Sequence, residues 1–264
     1  MSCTNRPLAG AAHVEAKDDP RGIAGRSRYH APVSERLARA AGSVLLAVAA
    51  AVVIVALAVV PFVHPAWVAF GQGRAEATAW TGYTAAELRT ATDAILSDLV
   101  LGPPEFDVAV AGEPVLNPRE RQHLIDVRGV FIGLAVVALG AAAVLLAAAV
   151  ATKGAPAFWR SVRGGAAALG VGVLLVGLVG LFAFEAAFEV FHRLFFAGGT
   201  YTFDPRSERL VQLFPQRFWF ETSLAVGVAI LVLCGIAVIL ARRRLRSERP
   251  SAVGAARASL EAVG

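Results

Sequence analysis

Four stretches of the chain, residues 41–63, 129–151, 166–188 and 222–241, are predominantly apolar and carry no charge in their central parts. A helix needs about 20 residues to cross a hydrocarbon core, so each stretch predicts a transmembrane span. The first exceeds the roughly 7–15 apolar residues of a signal peptide and no clear A-x-A site closes it, so it reads as a retained helix. Between the spans, periodicity returns. In "TGYTAAELRTATDAILSDLVLG" the apolar Leu88, Ala91, Ile95 and Leu99 fall at helical spacing. Thr84, with Glu87 three residues on, forms a capping box for that helix. Phe106, Val108 and Val110 alternate, which predicts a short strand leading to a turn at "GEP". Asn117 then precedes a helix with Pro118 at its first position, running into the second span. Residues 1–40 mix Pro, Gly and scattered charge without apolar periodicity and predict a disordered arm, with a similar tail over 242–264. The sequence contains no internal repeat. The expected fold is an all-α membrane protein: a four-helix transmembrane domain over 41–241, carrying a small cap built from residues 64–128 and 193–221.

Composition agrees with this reading. Hydrophobic residues make up 56% of the chain and the mean hydropathy is +0.61, too apolar for an ordinary soluble domain. With only Cys3 and Cys234, neither a disulfide framework nor a CxxC site is available. The excess of positive charge would suggest nucleic acid if it were clustered on one soluble face, but its placement marks topology instead. Arg21, Arg26, Arg28, Arg36 and Arg39 precede span one; Lys153, Arg160 and Arg163 follow span two; Arg242, Arg243, Arg244, Arg246 and Arg249 follow span four. The first loop instead carries nine acidic residues, from Glu76 to Asp126. The arginine asymmetry places both termini in the cytoplasm and the cap outside a bacterial plasma membrane.

At the cap end two histidines fall at matching heights. His123 lies just before span two, with Asp126 three residues on. His192 lies just after span three, with Glu189 three residues before it and Glu185 a turn deeper. Carboxylates at that spacing share a helix face with the ring and can orient it. Taken singly, each histidine reads as an amphipathic residue at the headgroup level. Taken as a pair, they read as a proton-transfer site, and with Asp126 or Glu189 as a possible zinc set. His13 and His30 lie in the arm, and His64 reads as interfacial. Around the pair, Phe188, Phe191, Phe195, Phe196, Tyr201, Phe203 and Phe214 predict an aromatic pocket, partly an interfacial girdle. No P-loop, G-x-S-x-G or H-E-x-x-H motif occurs, and "GVGVLLVGLVG" reads as a glycine-rich helix-packing face.

The segments "RQHLIDVRGVF" and "FHRLFFAGGTYTFDPRSERLVQLFPQRFWFE" resemble the bacterial lipoprotein intramolecular transacylase family, over roughly residues 41–241. Tyr201 departs from the tryptophan common in that part of the family's loop. The resemblance implies a membrane acyltransferase without a cofactor. It implies as partners membrane lipid and the N-terminus of a diacylglyceryl-modified lipoprotein, whose sn-2 acyl chain moves to the α-amine of its N-terminal cysteine to leave a lyso-form lipoprotein. The family's two histidines then fall on His123 and His192, with Asp126, Glu189 and Glu185 as orienting groups. Two rivals stand beside this: a non-catalytic membrane binding protein of the same fold, and a zinc-dependent membrane hydrolase.

Overall fold

The computed structural model describes residues 33–196, 198 and 200–247, so most of the expected arm and tail, with His13 and His30, lies outside the described residues. Four helices among them are long and apolar enough to cross a membrane. Helix α1 (Val33–Val59) begins eight residues ahead of the predicted span and continues into a 3-10 turn, Val60–Val63. His64 then caps α2 (Pro65–Arg74): its Nδ1 accepts the Ala66 N–H at 3.2 Å, a more specific task than an interfacial ring. Two short steps follow, α3 (Ala77–Thr81) and α4 (Ala85–Val100). The Thr84–Glu87 capping box opens α4 as the spacing predicts, with both reciprocal hydrogen bonds present.

The strand expectation holds for burial but not for backbone. Phe106, Val108 and Val110 all point into the cap core. Phe106, however, has φ +50°, so regular pairing is confined to β1 (Ala109–Val110) and β2 (Glu113–Pro114). The turn sits one residue earlier than expected, at Ala111 and Gly112, both with positive φ as a tight two-residue hairpin demands. Glu113 and Pro114, read as the turn, form its second strand.

Helix α5 (Pro118–Ala151) has 34 residues and is therefore about 51 Å long, against about 30 Å of hydrocarbon. Residues 118–128, with Arg119, Glu120, Arg121, Asp126 and Arg128, project beyond the apolar segment, and Leu124 packs into the cap core. The third span runs as α6 (Pro156–Phe182), not to residue 188. At Ala183 (φ −136°, ψ 46°) the helix breaks and restarts as α7 (Phe184–Phe195). Neither Gly nor Pro marks the break. A continuous helix would carry Glu185, Glu189 and His192 outward past the end of the span, whereas a separate amphipathic helix can lie at the boundary. A short α8 (Arg209–Leu213) precedes α9 (Gln216–Ser247).

In the bundle, α6 packs on both α1 and α9, and α1 also meets α5. The core between α1, α6 and α9 is small: Ile54, Ala58, Ala166, Ile230 and Cys234. Close packing centres on Gly165, where an added Cβ would overlap the backbone carbonyl of Ala47 on α1. The predicted glycine face contributes less than expected. Gly170 meets Cys234, but Gly172, Gly177 and Gly180 have open space where a Cβ would sit. The cap has its own core, in which α4 (Leu88, Ile95, Leu99), the hairpin (Val110) and α8 (Leu213) close on Phe106, Phe214 and Phe218. Buried Gln72 ties it together, donating to Thr92 Oγ1 and to the Leu213 carbonyl, each at 3.0 Å.

Candidate active site

His123 lies in the second turn of α5 and His192 near the end of α7, on elements 69 residues apart in sequence. The fold stacks them: their ring centroids are 6.0 Å apart and their planes 21° apart. Both rings are buried. The Nδ1 of His192 donates to the Phe188 carbonyl one turn back, at 2.8 Å, because a carbonyl can only accept. In the neutral ring that bond leaves the lone pair on Nε2. The Nδ1 of His123 is buried with no hydrogen-bond partner. Burial, and next the neighbouring His192, hold the His123 pKa down at about 4, against a smaller upward pull from Asp126. His123 is therefore neutral near pH 7.

Five of the seven predicted aromatics touch this pair. Phe196 packs on both rings, at 4.9 Å from His123 and 5.5 Å from His192. Phe203 stands edge-on to His123 at 5.4 Å. Phe188, Tyr201 and Phe191 surround His192 at 4.2, 5.1 and 5.5 Å. The other two lie apart. Phe195 packs on Phe191 and is half exposed, and Phe214 belongs to the cap core against Phe218 and Trp219.

The carboxylates sit differently from their expected places. Asp126 accepts from Gln122 at 3.1 Å and acts on His123 only through its field. Glu189 accepts from Arg193 Nε at 2.8 Å and from the Tyr201 hydroxyl at 3.1 Å, and the Arg193 bond chiefly holds its pKa below the ordinary range. Glu189 thus reaches His192 through the Tyr201 ring. Glu185 is exposed at the start of α7, bonded to Gln216 at 2.9 Å and two turns from His192. Among the described residues no three His, Cys, Asp or Glu side chains converge as a metal-ligand set, so the zinc arrangement is not assembled.

The residue that sequence reading passes over is Glu120. In the sequence it is one more acid in a charged loop, yet it is buried in the structure. One oxygen closes the α5 capping box on the Asn117 N–H at 2.7 Å, and the other accepts the Leu210 N–H at 2.6 Å, tying α5 to α8. The N-x-x-E spacing of Asn117 and Glu120 carried the signal. Beside it, Arg119 donates to Glu208 at 2.8 Å and to the Thr202 carbonyl at 2.7 Å, and lies over Phe203. Burial pushes the Glu208 pKa up, but the Asp204 N–H, Arg119 and Asn117 outweigh it and hold the carboxyl below its usual range. These ties set the 200–208 loop against His123.

With this geometry, comparison with known proteins is decisive at the level of the family. The sequence model of the lipoprotein intramolecular transacylase Lit matches residues 44–219, two thirds of the chain. The chain belongs to the lipoprotein intramolecular transacylase family. It is an integral membrane protein with the all-helical architecture of that family. The membrane-integral Lit from Bacillus cereus aligns with it at 19% identity and a TM-score of 0.69, over 82% of this chain and 100% of the other. A histidine-to-alanine variant of the same protein aligns at 18% identity and TM-score 0.68, over 83% and 98% of the two chains. At such identities the likeness speaks for the fold. No curated protein matches the sequence.

Proposed function

We propose that this protein is an intramolecular acyltransferase that moves the sn-2 acyl chain of a diacylglyceryl lipoprotein onto the α-amine of its N-terminal cysteine. The observation that carries the reading is the stacked His123–His192 pair, buried in aromatic walls where cap meets bundle. Family membership supplies the reaction class. The arginine distribution supports a cap facing out of the bacterial plasma membrane, where lipoprotein N-termini lie.

The two rings suit different tasks. His192 has its Nδ1–H committed to Phe188, so Nε2 is the basic nitrogen. An α-amine of pKa about 7.7–8.0 is partly neutral at pH 7 and attacks the sn-2 ester carbonyl carbon, forming the C–N bond. His192 Nε2 takes the proton that this nitrogen must lose. On His123 a bare lone pair costs less than an orphaned N–H, so Nδ1 stays unprotonated and the proton sits on Nε2. That N–H is the donor available to the developing oxyanion. The C–O bond to glycerol then breaks, and the glyceryl oxygen receives the proton held by His192. Amine and ester become amide and alcohol, with no water consumed.

Because ester and amine belong to one substrate, positioning is a large part of the catalysis; effective molarities for such arrangements reach about 10⁵–10⁸ M. Phe196, Phe203 and Tyr201 exclude the water that would divert the reaction to hydrolysis. Mass spectrometry of lipoprotein N-termini from cells with and without the protein tests the proposal. Lyso-form lipoproteins that depend on its presence are expected; identical N-termini in both cells would refute it and favour a binding role.

A further inference from the structure

At the break between α6 and α7 lies a cleft of about 590 Å³ that the histidines do not line. Leu181, Phe182, Phe184 and Phe220 form its apolar side; Glu185 and Gln216, bonded to each other, and Arg217 form its polar rim. We infer that this cleft holds the acyl chain that stays on the lipoprotein's glycerol while its neighbour is transferred. The inference rests on the transfer reading above and adds a second lipid subsite to it.

Three observations lead there. First, the cleft opens sideways: Phe182 is 86% and Leu181 50% exposed at the end of a membrane-spanning helix. A chain can therefore slide in from the bilayer without crossing water. Second, a stripe of rings joins the edge of the cleft to the histidines. Phe184, Phe188 and His192 follow one another on a single face of α7, with ring contacts of 5.5 and 4.2 Å, and Phe220 stands edge-on to Phe184 at 5.2 Å. Eight residues of helix place the cleft about 12 Å from His192 along α7, towards the spans. Third, its volume falls within the roughly 300–1,000 Å³ of clefts that hold small ligands. The two esters of a diacylglyceryl group stand on adjacent carbons. With one ester at the histidines, the other chain lies along the Phe188 stripe and ends in the cleft.

Lipid tails are as apolar as the Leu181–Phe182 side of the cleft, so burial there supplies little affinity. The cleft acts by shape: fixing the retained chain fixes the glycerol and the approach of amine to ester. Misplacement by about 1 Å can cost roughly 100-fold in rate. Ala183, which lines the cleft, offers a way to fill it.

The test uses the full-length protein in nanodiscs and synthetic diacylglyceryl lipopeptides with a constant sn-2 chain and an octanoyl, dodecanoyl or palmitoyl sn-1 chain. Ala183→Trp should lower turnover of the palmitoyl substrate by about tenfold or more while leaving the octanoyl substrate within about twofold. An equal loss on all three, or none, would overturn the inference. A second measurement needs no turnover. A lipopeptide with a diazirine at the end of its sn-1 chain should label the wild-type protein within residues 181–185 and 216–220. Labelling elsewhere, or equal labelling of the cleft by a bilayer phospholipid carrying the same diazirine, would overturn it. Labelling of the cleft without acyl transfer would sink the transfer reading and leave the chain site standing. Transfer with labelling elsewhere would do the reverse.

Discussion

His123 and His192 are stacked on each other, yet their environments make them unequal. His192→Ala should lower acyl transfer by about 10²–10⁴-fold, the usual worth of a general base, and His123→Ala by about 10²–10³-fold, that of an oxyanion donor, with the protein still present in the membrane. Near-wild-type lyso-form production in either variant would remove that residue from the mechanism. Glu189→Gln should fall between these variants and wild type. Its amide oxygen can still accept from the Tyr201 hydroxyl, while the charged bond from Arg193 is weakened. The low pKa of His123 has a consequence for stability. Between its unfolded pKa near 6.5 and about 4 in the fold, the unfolded chain binds more protons, so stability falls as pH drops through this window and is fully present above it. His123→Phe should flatten that dependence; thermal unfolding in detergent from pH 7 to pH 4 measures it. The sequence placed both histidines at one end of the bundle, because span boundaries and helical spacing suffice for that. It did not show the partners of the carboxylates. An acid at i±3 shares a face with the ring, but Gln122, Arg193 and Tyr201 compete for it, and that competition is settled by rotamers and by a loop distant in sequence.

Among the elements, the spans and α4 were legible because apolar length and capping chemistry are local properties. The break at Ala183 was not, since it depends on where Glu185 and Glu189 meet the membrane boundary rather than on a Gly or Pro. The role of Glu120 was also hidden, because its second partner, the Leu210 N–H, lies 90 residues away. Glu120→Leu keeps much of the side chain's bulk but removes both acceptors and leaves the Asn117 and Leu210 N–H groups unsatisfied, at about 1–3 kcal/mol for each. Lower thermal stability is the expected result, with limited proteolysis cutting first in the 200–208 loop. Unchanged stability would show that the tie is dispensable. In the bundle, Gly165→Val should disrupt the α1–α6 crossing at Ala47, whereas Gly177→Ala, with open space around it, should be tolerated; folded yield in detergent distinguishes the two.

For the whole molecule, four spans with a cap on one end bury the histidine pair where cap meets bundle. The orientation proposed here requires that cap to face outward. A cysteine introduced at Gly112, at the tip of the β1–β2 hairpin, should react with a membrane-impermeant maleimide added to intact cells; reaction only after the cells are opened would reverse the topology. Chelators should leave transfer unchanged, since in the proposed mechanism His192 carries the proton and His123 donates a hydrogen bond, neither through a metal. In the proposed reaction one lipoprotein supplies both ester and amine to the histidine pair, and a crossover measurement on purified protein tests this. Two lipopeptides are mixed, one with a heavy-isotope acyl chain and the other with a heavy-isotope peptide. Lyso products in which each peptide keeps its own chain are expected, formed at least about 10²-fold more slowly by the His192→Ala variant. Scrambled products, or the same products formed as fast without His192, would contradict it.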